Sequence, residues 1–248
     1  MVITGVPFCG PVTTKESIMD NYQIINKLKG GLIVSCQALE DEPLYSSFIM
    51  SKMALAAAEG GAVGIRANSV IDIAEIMKTT TLPIIGLIKK DYDDSEVYIT
   101  PTEDEVDALV LVGADIIAMD ATNRPRPNGE SLDTFFKKIK DKYPNKLFMA
   151  DCSTYEEGLH ASELGFDIVS TTLAGYTAET KGRTLPDFDL LKKLVDTLDI
   201  PVIAEGGIWE PAQLKKAFDL GCHCAVVGSA ITRPRDITKH FIAAIKEN

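Results

Sequence analysis

Eight short apolar segments recur along the chain, and each leads into a polar, charged or small residue. Their apolar character is continuous and does not alternate, which is typical of parallel strands that are covered on both faces. Helical patterns lie between them, and several of these patterns close on a glycine before the next apolar segment begins. The segments span residues 32–34, 61–65, 83–88, 116–119, 147–150, 166–169, 201–204 and 225–227.

This alternation of strands and helices predicts an α/β protein with a single-domain (β/α)₈ TIM barrel fold. An open doubly wound sheet is the competing architecture, but no dinucleotide-binding G-x-G-x-x-G motif supports it. The length of 248 residues suits one barrel, which we assign to residues 19–248. The predicted helices span residues 22–29, 46–60, 69–78, 102–112, 131–142, 154–164, 187–198, 211–220 and 234–246.

The first 18 residues differ from the rest because they show no helical or strand period and contain Gly5, Pro7, Gly10 and Pro11. They lack the basic start and the sustained apolar core of a secretory signal. We expect a flexible N-terminal extension that is dispensable for activity. A start codon assigned too early is the alternative, since Met19 precedes the first predicted helix.

Composition narrows the possible partners. The net charge of −11 argues against nucleic acid, because a phosphate backbone requires a basic face. No apolar run is long enough to span a membrane. The five cysteines are an odd number and suit reduced thiols in a cytoplasmic protein. We expect no metal site, because His160, His223 and His240 fall in helices or at a strand start and the 222–224 Cys-His-Cys tract lacks a second ligand pair.

Two strand ends carry the strongest candidates for chemistry. Lys89 follows Ile85 and Leu87 at a spacing of two, so its side chain should point into the barrel. Desolvation there would lower the pKa of the lysine and make it a usable general base, although a solvated loop lysine is the alternative. Glu205 shares a face with Ile203, and a carboxylate at the end of an apolar strand is costly unless it is paired or catalytic.

Two aspartates occupy equivalent places on the fourth and fifth strands. Either Asp120 or Asp151 could pair with Lys89 and hold its orientation. One of them could instead serve only as a helix N-cap. Asp120, which has Thr122 beside it, is the better candidate for that structural role.

Phosphate is the substrate group that the sequence indicates best. Small residues follow strands seven and eight, where barrels often hold phosphate with backbone N–H groups. Arg233 lies where a guanidinium could grip the same anion. The predicted phosphate-binding residues are Gly206, Gly207, Gly228, Ser229 and Arg233.

With these residues identified, the chain resembles the N-acetylmannosamine-6-phosphate 2-epimerase family over residues 24–246. The motifs that carry the resemblance span residues 31–39, 42–44, 46–50, 64–67, 83–89, 150–151, 170–173, 175–177, 202–206 and 226–234. Gly207 departs from some relatives, which have a polar or basic residue after the Glu-Gly pair. At this position only a backbone contact to phosphate remains available.

The resemblance implies interconversion of N-acetylmannosamine 6-phosphate and N-acetylglucosamine 6-phosphate in sialic acid breakdown, without a cofactor. It implies Lys89 and Glu205 as the catalytic pair. It also implies a homodimer. The other substrate-contacting positions of the family fall on Gln37, Arg66, Asp151 and Arg233.

The chemistry of this reaction agrees with the residue-based interpretation. Inversion at C2 needs an open-chain aldehyde, an enolate intermediate and two proton-transfer groups on opposite sides. Strands three and seven face each other across an eight-stranded barrel, so Lys89 and Glu205 can flank the carbon. We expect Asp151 to position the lysine ammonium, and Gln37 and Arg66 to hold the N-acetyl group or hydroxyls.

Three other functions remain open on the sequence. A pentose-phosphate isomerase would need metal ligands, usually histidines at strand ends. A catalytically idle sugar-phosphate-binding protein would not need Lys89, Asp151 and Glu205 together. An oxidoreductase would need a nucleotide-binding motif, and the sequence shows none.

Overall fold

The computed structural model describes the backbone of residues 14–246 and the side chains of residues 21–246. Its eight strands are all parallel and form a closed barrel in sequence order, which confirms the predicted (β/α)₈ fold. The strands are β1 (Leu32–Cys36), β2 (Gly64–Asn68), β3 (Ile84–Leu87), β4 (Ile116–Asp120), β5 (Leu147–Asp151), β6 (Ile168–Ser170), β7 (Val202–Glu205) and β8 (Cys224–Val227).

Ten α-helices lie within the described residues, and a 3₁₀ turn covers Pro127–Gly129. Within residues 14–246, no helix has the length and apolarity that crossing a bilayer requires. The helices are α1 (Thr14–Leu28), α2 (Ser47–Glu59), α3 (Val70–Ile76), α4 (Glu103–Val112), α5 (Leu132–Lys142), α6 (Tyr155–Leu164), α7 (Phe188–Thr197), α8 (Pro211–Asp219), α9 (Ser229–Thr232) and α10 (Pro234–Lys246).

The continuous apolar strands serve two separate cores because successive side chains point to opposite faces. Ile85 and Leu87 of β3 pack inside the barrel together with Ile203 of β7. Alternate positions such as Val169 pack outward, against the helices. The period-two arguments for Lys89 and Glu205 therefore hold, since each follows inward-facing residues of its strand.

Local signals in the sequence fix the ends of several helices. Helix α6 begins with a capping box, in which Thr154 and Glu157 bond each other's backbone N–H groups. It ends at Gly165, whose φ of 94° lies in the left-handed region that favours glycine. Helix α4 has the same arrangement, with Thr102 at its start and Gly113 at its end.

The structure differs from the sequence expectations at two helices. Helix α1 begins at Thr14, whereas the sequence predicts a first helix only from residue 22 and an extension up to residue 18. Residues 1–13 of that extension lie outside the described part of the chain, and its dispensability stays a prediction. The four-residue helix α9 went unpredicted because so short a segment shows no hydrophobic period.

Candidate active site

One cavity of about 250 Å³ opens at the carboxyl ends of the strands. Lys89 and Glu205 both line it, the first just beyond β3 and the second at the end of β7. The strand order places four steps between β3 and β7 in either direction around the closed barrel. The two side chains therefore enter the cavity from opposite walls, as the sequence analysis predicts.

Arg66 on β2 is the hub of the polar side chains in the cavity. It is 1% exposed, and its guanidinium binds two carboxylates at once. Nη1 and Nη2 bond the two oxygens of Asp151 at 3.1 and 2.6 Å, while Nη1 also lies 2.7 Å from Glu205 Oε2. Burial opposes the cation, but Asp151 and Glu205 outweigh it and raise the pKa of Arg66 above its usual value.

Thr172 joins the same two carboxylates from the loop after β6. Its hydroxyl lies 2.7 Å from Asp151 Oδ1 and 3.1 Å from Glu205 Oε2. Burial raises the pKa of Glu205 to about 7, with Asp151 acting in the same direction, while Arg66 and Thr172 work to lower it. Glu205 can therefore both hold and release a proton near neutral pH.

Lys89 is the complementary group on the opposite wall. Burial lowers its pKa to about 8, and the nearby cations Arg233 and Arg66 add to that effect. Glu205 and Asp151 favour the ammonium and oppose this shift. A substantial fraction of the lysine is therefore the neutral amine at slightly alkaline pH, as a general base requires.

The expected contact between Asp151 and the Lys89 ammonium is not found. Arg66 and Thr172 occupy the Asp151 carboxylate, and Lys89 forms no ion pair with a carboxylate in the described part of the chain. Asp151 thus acts on the lysine only through its charge. The reason is geometric, because Asp151 shares the buried interior with a guanidinium that bonds both of its oxygens.

Asp120 has a structural partner set of its own. Its Oδ1 accepts bonds from the N–H and hydroxyl of Thr122, and its Oδ2 lies 2.6 Å from Arg124 Nη2. It does not line the cavity. Asp120 is therefore structural, but the expected helix N-cap role is wrong, because α5 is capped by Ser131 and the Asp120 side chain bonds the turn that follows its own strand.

The loops after β7 and β8 bring small residues to one side of the cavity. Gly206, Gly207, Gly228 and Ser229 all line it. Gly207 has a φ of 74°, and a Cβ there would lie 2.4 Å from the Leu185 Cβ. This backbone therefore excludes a side chain at residue 207, and only the main chain of this turn can contact a ligand.

Gln37 and Arg233 complete the predicted site, and both line the cavity. The Gln37 amide nitrogen donates to the Ser35 hydroxyl at 2.9 Å, while its Oε1 is buried without a partner among the described residues. Such an orphaned acceptor is costly unless a ligand supplies a donor. Arg233 Nη2 lies 3.3 Å from Glu42 Oε2.

The sequence analysis missed Tyr98 and the role of Thr172. Both line the cavity, and burial raises the pKa of Tyr98 to about 12, so it stays a hydrogen-bond donor. The chain after β3 folds back antiparallel, with Lys89 paired to Ile99, and this return carries Tyr98 to the site. The sequence signal for Tyr98 is the short apolar run at residues 97–99, which follows the acidic loop at residues 91–96.

Comparisons with known proteins identify the family that this chain resembles. The family model NanE, for N-acetylmannosamine-6-phosphate epimerase, matches residues 50–247. A protein of Clostridioides difficile named as an N-acetylmannosamine-6-phosphate 2-epimerase is 58% identical over 225 residues, which cover 91% of this chain and 100% of that protein. A relative from Listeria innocua with the same name is 52% identical and covers 90% of this chain and 98% of its own length.

Solved structures give the same result. The N-acetylmannosamine-6-phosphate 2-epimerase from Clostridium perfringens superposes with a TM-score of 0.85 at 57% identity, covering 89% of this chain and 96% of that one. Thiamine phosphate pyrophosphorylase from Pyrococcus furiosus superposes with a TM-score of 0.58 at 23% identity, covering 87% and 93%. The second likeness shows the shared barrel fold and nothing more.

Replacing Arg66 tests the hub directly. We expect Arg66→Met to lower the free energy of unfolding by about 3–5 kcal/mol near pH 8, because two buried carboxylates lose their cation. The loss should be smaller at pH 5, where Glu205 takes up a proton. Urea unfolding at both pH values measures this.

The exposed ion pair between Lys78 and Glu75 provides the control. Lys78→Met should change stability by less than about 0.5 kcal/mol. An Arg66→Met enzyme as stable as the wild type at both pH values would contradict the role of Arg66 as the hub.

Proposed function

The chain belongs to the N-acetylmannosamine-6-phosphate epimerase family, and from this premise we propose that its cavity interconverts N-acetylmannosamine 6-phosphate and N-acetylglucosamine 6-phosphate. The reaction is a proton exchange at C2 of the amino sugar. As in the family, it belongs to the breakdown of sialic acids. The protein is therefore an isomerase that acts on an amino-sugar phosphate.

The observation that carries the proposed mechanism is that Lys89 and Glu205 enter one cavity from opposite walls, where their pKa values converge. Lys89 and Glu205 ordinarily have pKa values of 10.5 and 4.5, and in this cavity they move to about 8 and about 7. A group that must take a proton and later return it works best when its pKa lies near the working pH. Two such groups on opposite walls suit inversion of one carbon between them.

The protons balance in both directions. In one direction the neutral Lys89 amine takes the proton from C2, the C1 aldehyde becomes an enolate, and the Glu205 carboxyl protonates C2 from the other side. The lysine then bears the proton and the glutamate is a carboxylate. In the reverse direction the carboxylate is the base and the ammonium is the acid.

Each reactive state therefore holds one proton between the two groups. The ammonium–carboxylate form is favoured over the amine–carboxyl form, because the pKa of Lys89 lies above that of Glu205. In the resting enzyme, the Glu205 carboxylate is therefore mainly ready to remove the C2 proton, and the Lys89 ammonium is ready to return one. Exchange with solvent resets the pair after each inversion.

The substrate's phosphate is assigned to the loops after β7 and β8. Backbone N–H groups of Gly206, Gly207 and Ser229 have no acceptor among the described residues, and they line the cavity next to Arg233. These features support a phosphate site formed by main-chain donors and one guanidinium, with Gly228 providing the close approach.

The N-acetyl group is assigned to the side of the cavity that carries Gln37. Its orphaned Oε1 can accept a hydrogen bond from the amide N–H or from a hydroxyl of the sugar. Arg66 lines the same cavity and has a buried Nε without a partner in the described part of the chain. Its main task is to hold Asp151 and Glu205 in place.

We also propose that two copies of the chain associate through α10. No residue of this helix is buried, and Phe241 and Ile242 are 69% and 45% exposed. Ile231 of α9 extends the apolar surface and is 43% exposed. Large exposed apolar patches commonly mark interaction sites.

A cytoplasmic location stays part of the proposal. Cys36, Cys152, Cys222 and Cys224 are all buried free thiols. This arrangement is compatible with a reducing compartment, where thiols persist unpaired.

Incubation with N-acetylmannosamine 6-phosphate in D₂O tests the catalytic pair. NMR should show C2 inversion together with deuterium at C2. Lys89→Ala and Glu205→Gln should each slow inversion by about 10²–10⁴-fold, because each removes one proton-transfer group. Each variant should also lose exchange from the one epimer whose C2 proton faces the missing group.

The neighbouring lysine gives a matched control for this experiment. Lys90 points away from the cavity, is half exposed and pairs with Glu105, so Lys90→Ala should retain normal inversion. Normal C2 proton–deuterium exchange from both epimers in Lys89→Ala or Glu205→Gln would contradict the two-group mechanism.

The pH profile of kcat/KM reports the same pair. We expect a bell-shaped profile with its acidic limb near pH 7, where half of Glu205 is protonated, and its alkaline limb near pH 8, where half of Lys89 has lost its proton. Thr172→Val should move the acidic limb upward, because the Thr172 hydroxyl lowers the pKa of Glu205. A flat profile between pH 6 and 9 would be incompatible with this account.

Light scattering coupled to size-exclusion chromatography tests the association of two copies. The wild type should have twice the mass of one chain, and Phe241→Ser should shift it toward the monomer. Leu111→Ser on α4 is the control, because Leu111 is 89% exposed and lies outside the proposed surface. A monomeric wild type at micromolar concentration would overturn the proposed dimer.

A further inference from the structure

A buried carboxylate lies next to the cavity and is not part of the proposed proton transfer. The Glu42 side chain is 6% exposed, although it belongs to the loop between β1 and α2. Its Oε2 accepts the backbone N–H of Leu39 at 2.8 Å and lies 3.3 Å from Arg233 Nη2. Its Oε1 accepts a bond from Arg235 Nη2 at 3.3 Å.

These contacts join two loops that both contribute to the site. Gln37 lies five residues before Glu42, and the Leu39 carbonyl accepts the Glu42 backbone N–H at 2.9 Å. The turn is thus closed by the main chain and by the carboxylate together. Its carboxylate then reaches across to the loop after β8, which carries Arg233.

Glu42 holds only one end of the Arg233 guanidinium. The contact involves Nη2, while Nε and Nη1 have no acceptor among the residues that the structure describes. Arg233 also lines the cavity next to Gly206, Gly207 and Ser229. A guanidinium held at one nitrogen presents its remaining donors in a fixed direction, which suits a tetrahedral anion.

We propose that Glu42 is a positioning residue that aims Arg233 at the phosphate group of the substrate. The inference rests on the proposed function, since it takes the loops after β7 and β8 as the phosphate site. Glu42 does not touch the substrate. It reduces the rotamer freedom of Arg233, so less conformational entropy is lost when the anion binds.

Electrostatic repulsion alone predicts the opposite change in phosphate affinity, so the sign of that change distinguishes repulsion from positioning. A carboxylate close to the anion site repels phosphate, so its removal should strengthen binding if charge were the only effect. If positioning dominates, removal weakens binding, because Arg233 loses its fixed direction. The burial of Glu42, its two hydrogen bonds and its ion pair with Arg233 favour positioning.

The test measures the dissociation constant of inorganic phosphate by calorimetry and the KM and kcat for N-acetylmannosamine 6-phosphate. Glu42→Gln should weaken phosphate binding and raise KM by about tenfold, since misaimed binding groups lose affinity steeply. The kcat should stay within about threefold, because the interaction is made equally in ground and transition states. Unchanged or tighter phosphate binding would overturn the proposal.

The adjacent acid supplies a matched control. Asp41 undergoes the same loss of charge in Asp41→Asn, but it is 75% exposed and lies 3.7 Å from Arg235, with no contact to Arg233. We expect the phosphate affinity of the Asp41→Asn variant to stay within about twofold of the wild-type value. Equal weakening in both variants would mean that the effect does not depend on the contact between Glu42 and Arg233 and would overturn the proposal.

A double-mutant cycle identifies the residue through which Glu42 acts. In an Arg233→Met background, Glu42→Gln should change phosphate affinity by less than about twofold, because the group that it aims is gone. A full tenfold effect in that background would assign the role to Arg235 or to the Gln37 loop and would overturn the inference.

Glu42→Asp provides a second variant in case Glu42→Gln does not fold. It keeps the charge and withdraws the carboxylate by one methylene, so weaker phosphate binding is again expected, and unchanged binding again overturns the proposal. The phosphate measurement does not depend on turnover. A wild-type enzyme that binds phosphate but does not invert C2 would refute the proposed function and still decide the role of Glu42.

Discussion

The buried guanidinium of Arg66, held between Asp151 and Glu205, is the interaction on which the site depends. It allows two carboxylates to approach each other in a largely buried position, where either alone would be costly. The guanidinium compensates the two carboxylates unequally, because Asp151 bonds both of its terminal nitrogens and Glu205 shares only one of them. Glu205 is therefore the carboxylate whose pKa rises and which can exchange a proton.

The same constraint explains the lysine on the opposite wall. Arg66 and Arg233 are fixed cations, and with burial they lower the pKa of Lys89, while the carboxylates keep it from falling further. On β7 the apolar inward residue Ile203 lies directly beneath the polar group at the strand end, Glu205. The barrel thus supplies a dry floor beneath the polar groups, and that floor strengthens every charge interaction above it.

The sequence was sufficient for the fold and for the two catalytic candidates at the strand ends. Apolar runs and glycine stops predicted all eight strands, and the period-two spacing correctly placed Lys89 and Glu205 inside the barrel. The sequence could not predict which charged groups pair. Asp151 bonds Arg66 because of distances that are set by three separate strands. Tyr98 was missed for a similar reason, since a chain reversal beyond β3 brings it to the cavity.

The central claim is that burial between fixed charges brings the two pKa values together. The most direct measurement is an NMR titration of an isotope-labelled enzyme that follows the Glu205 carboxyl carbon and the Lys89 ε-carbon separately. The account predicts midpoints of about 7 for Glu205 and about 8 for Lys89. Midpoints at the ordinary values of 4.5 and 10.5 would contradict it.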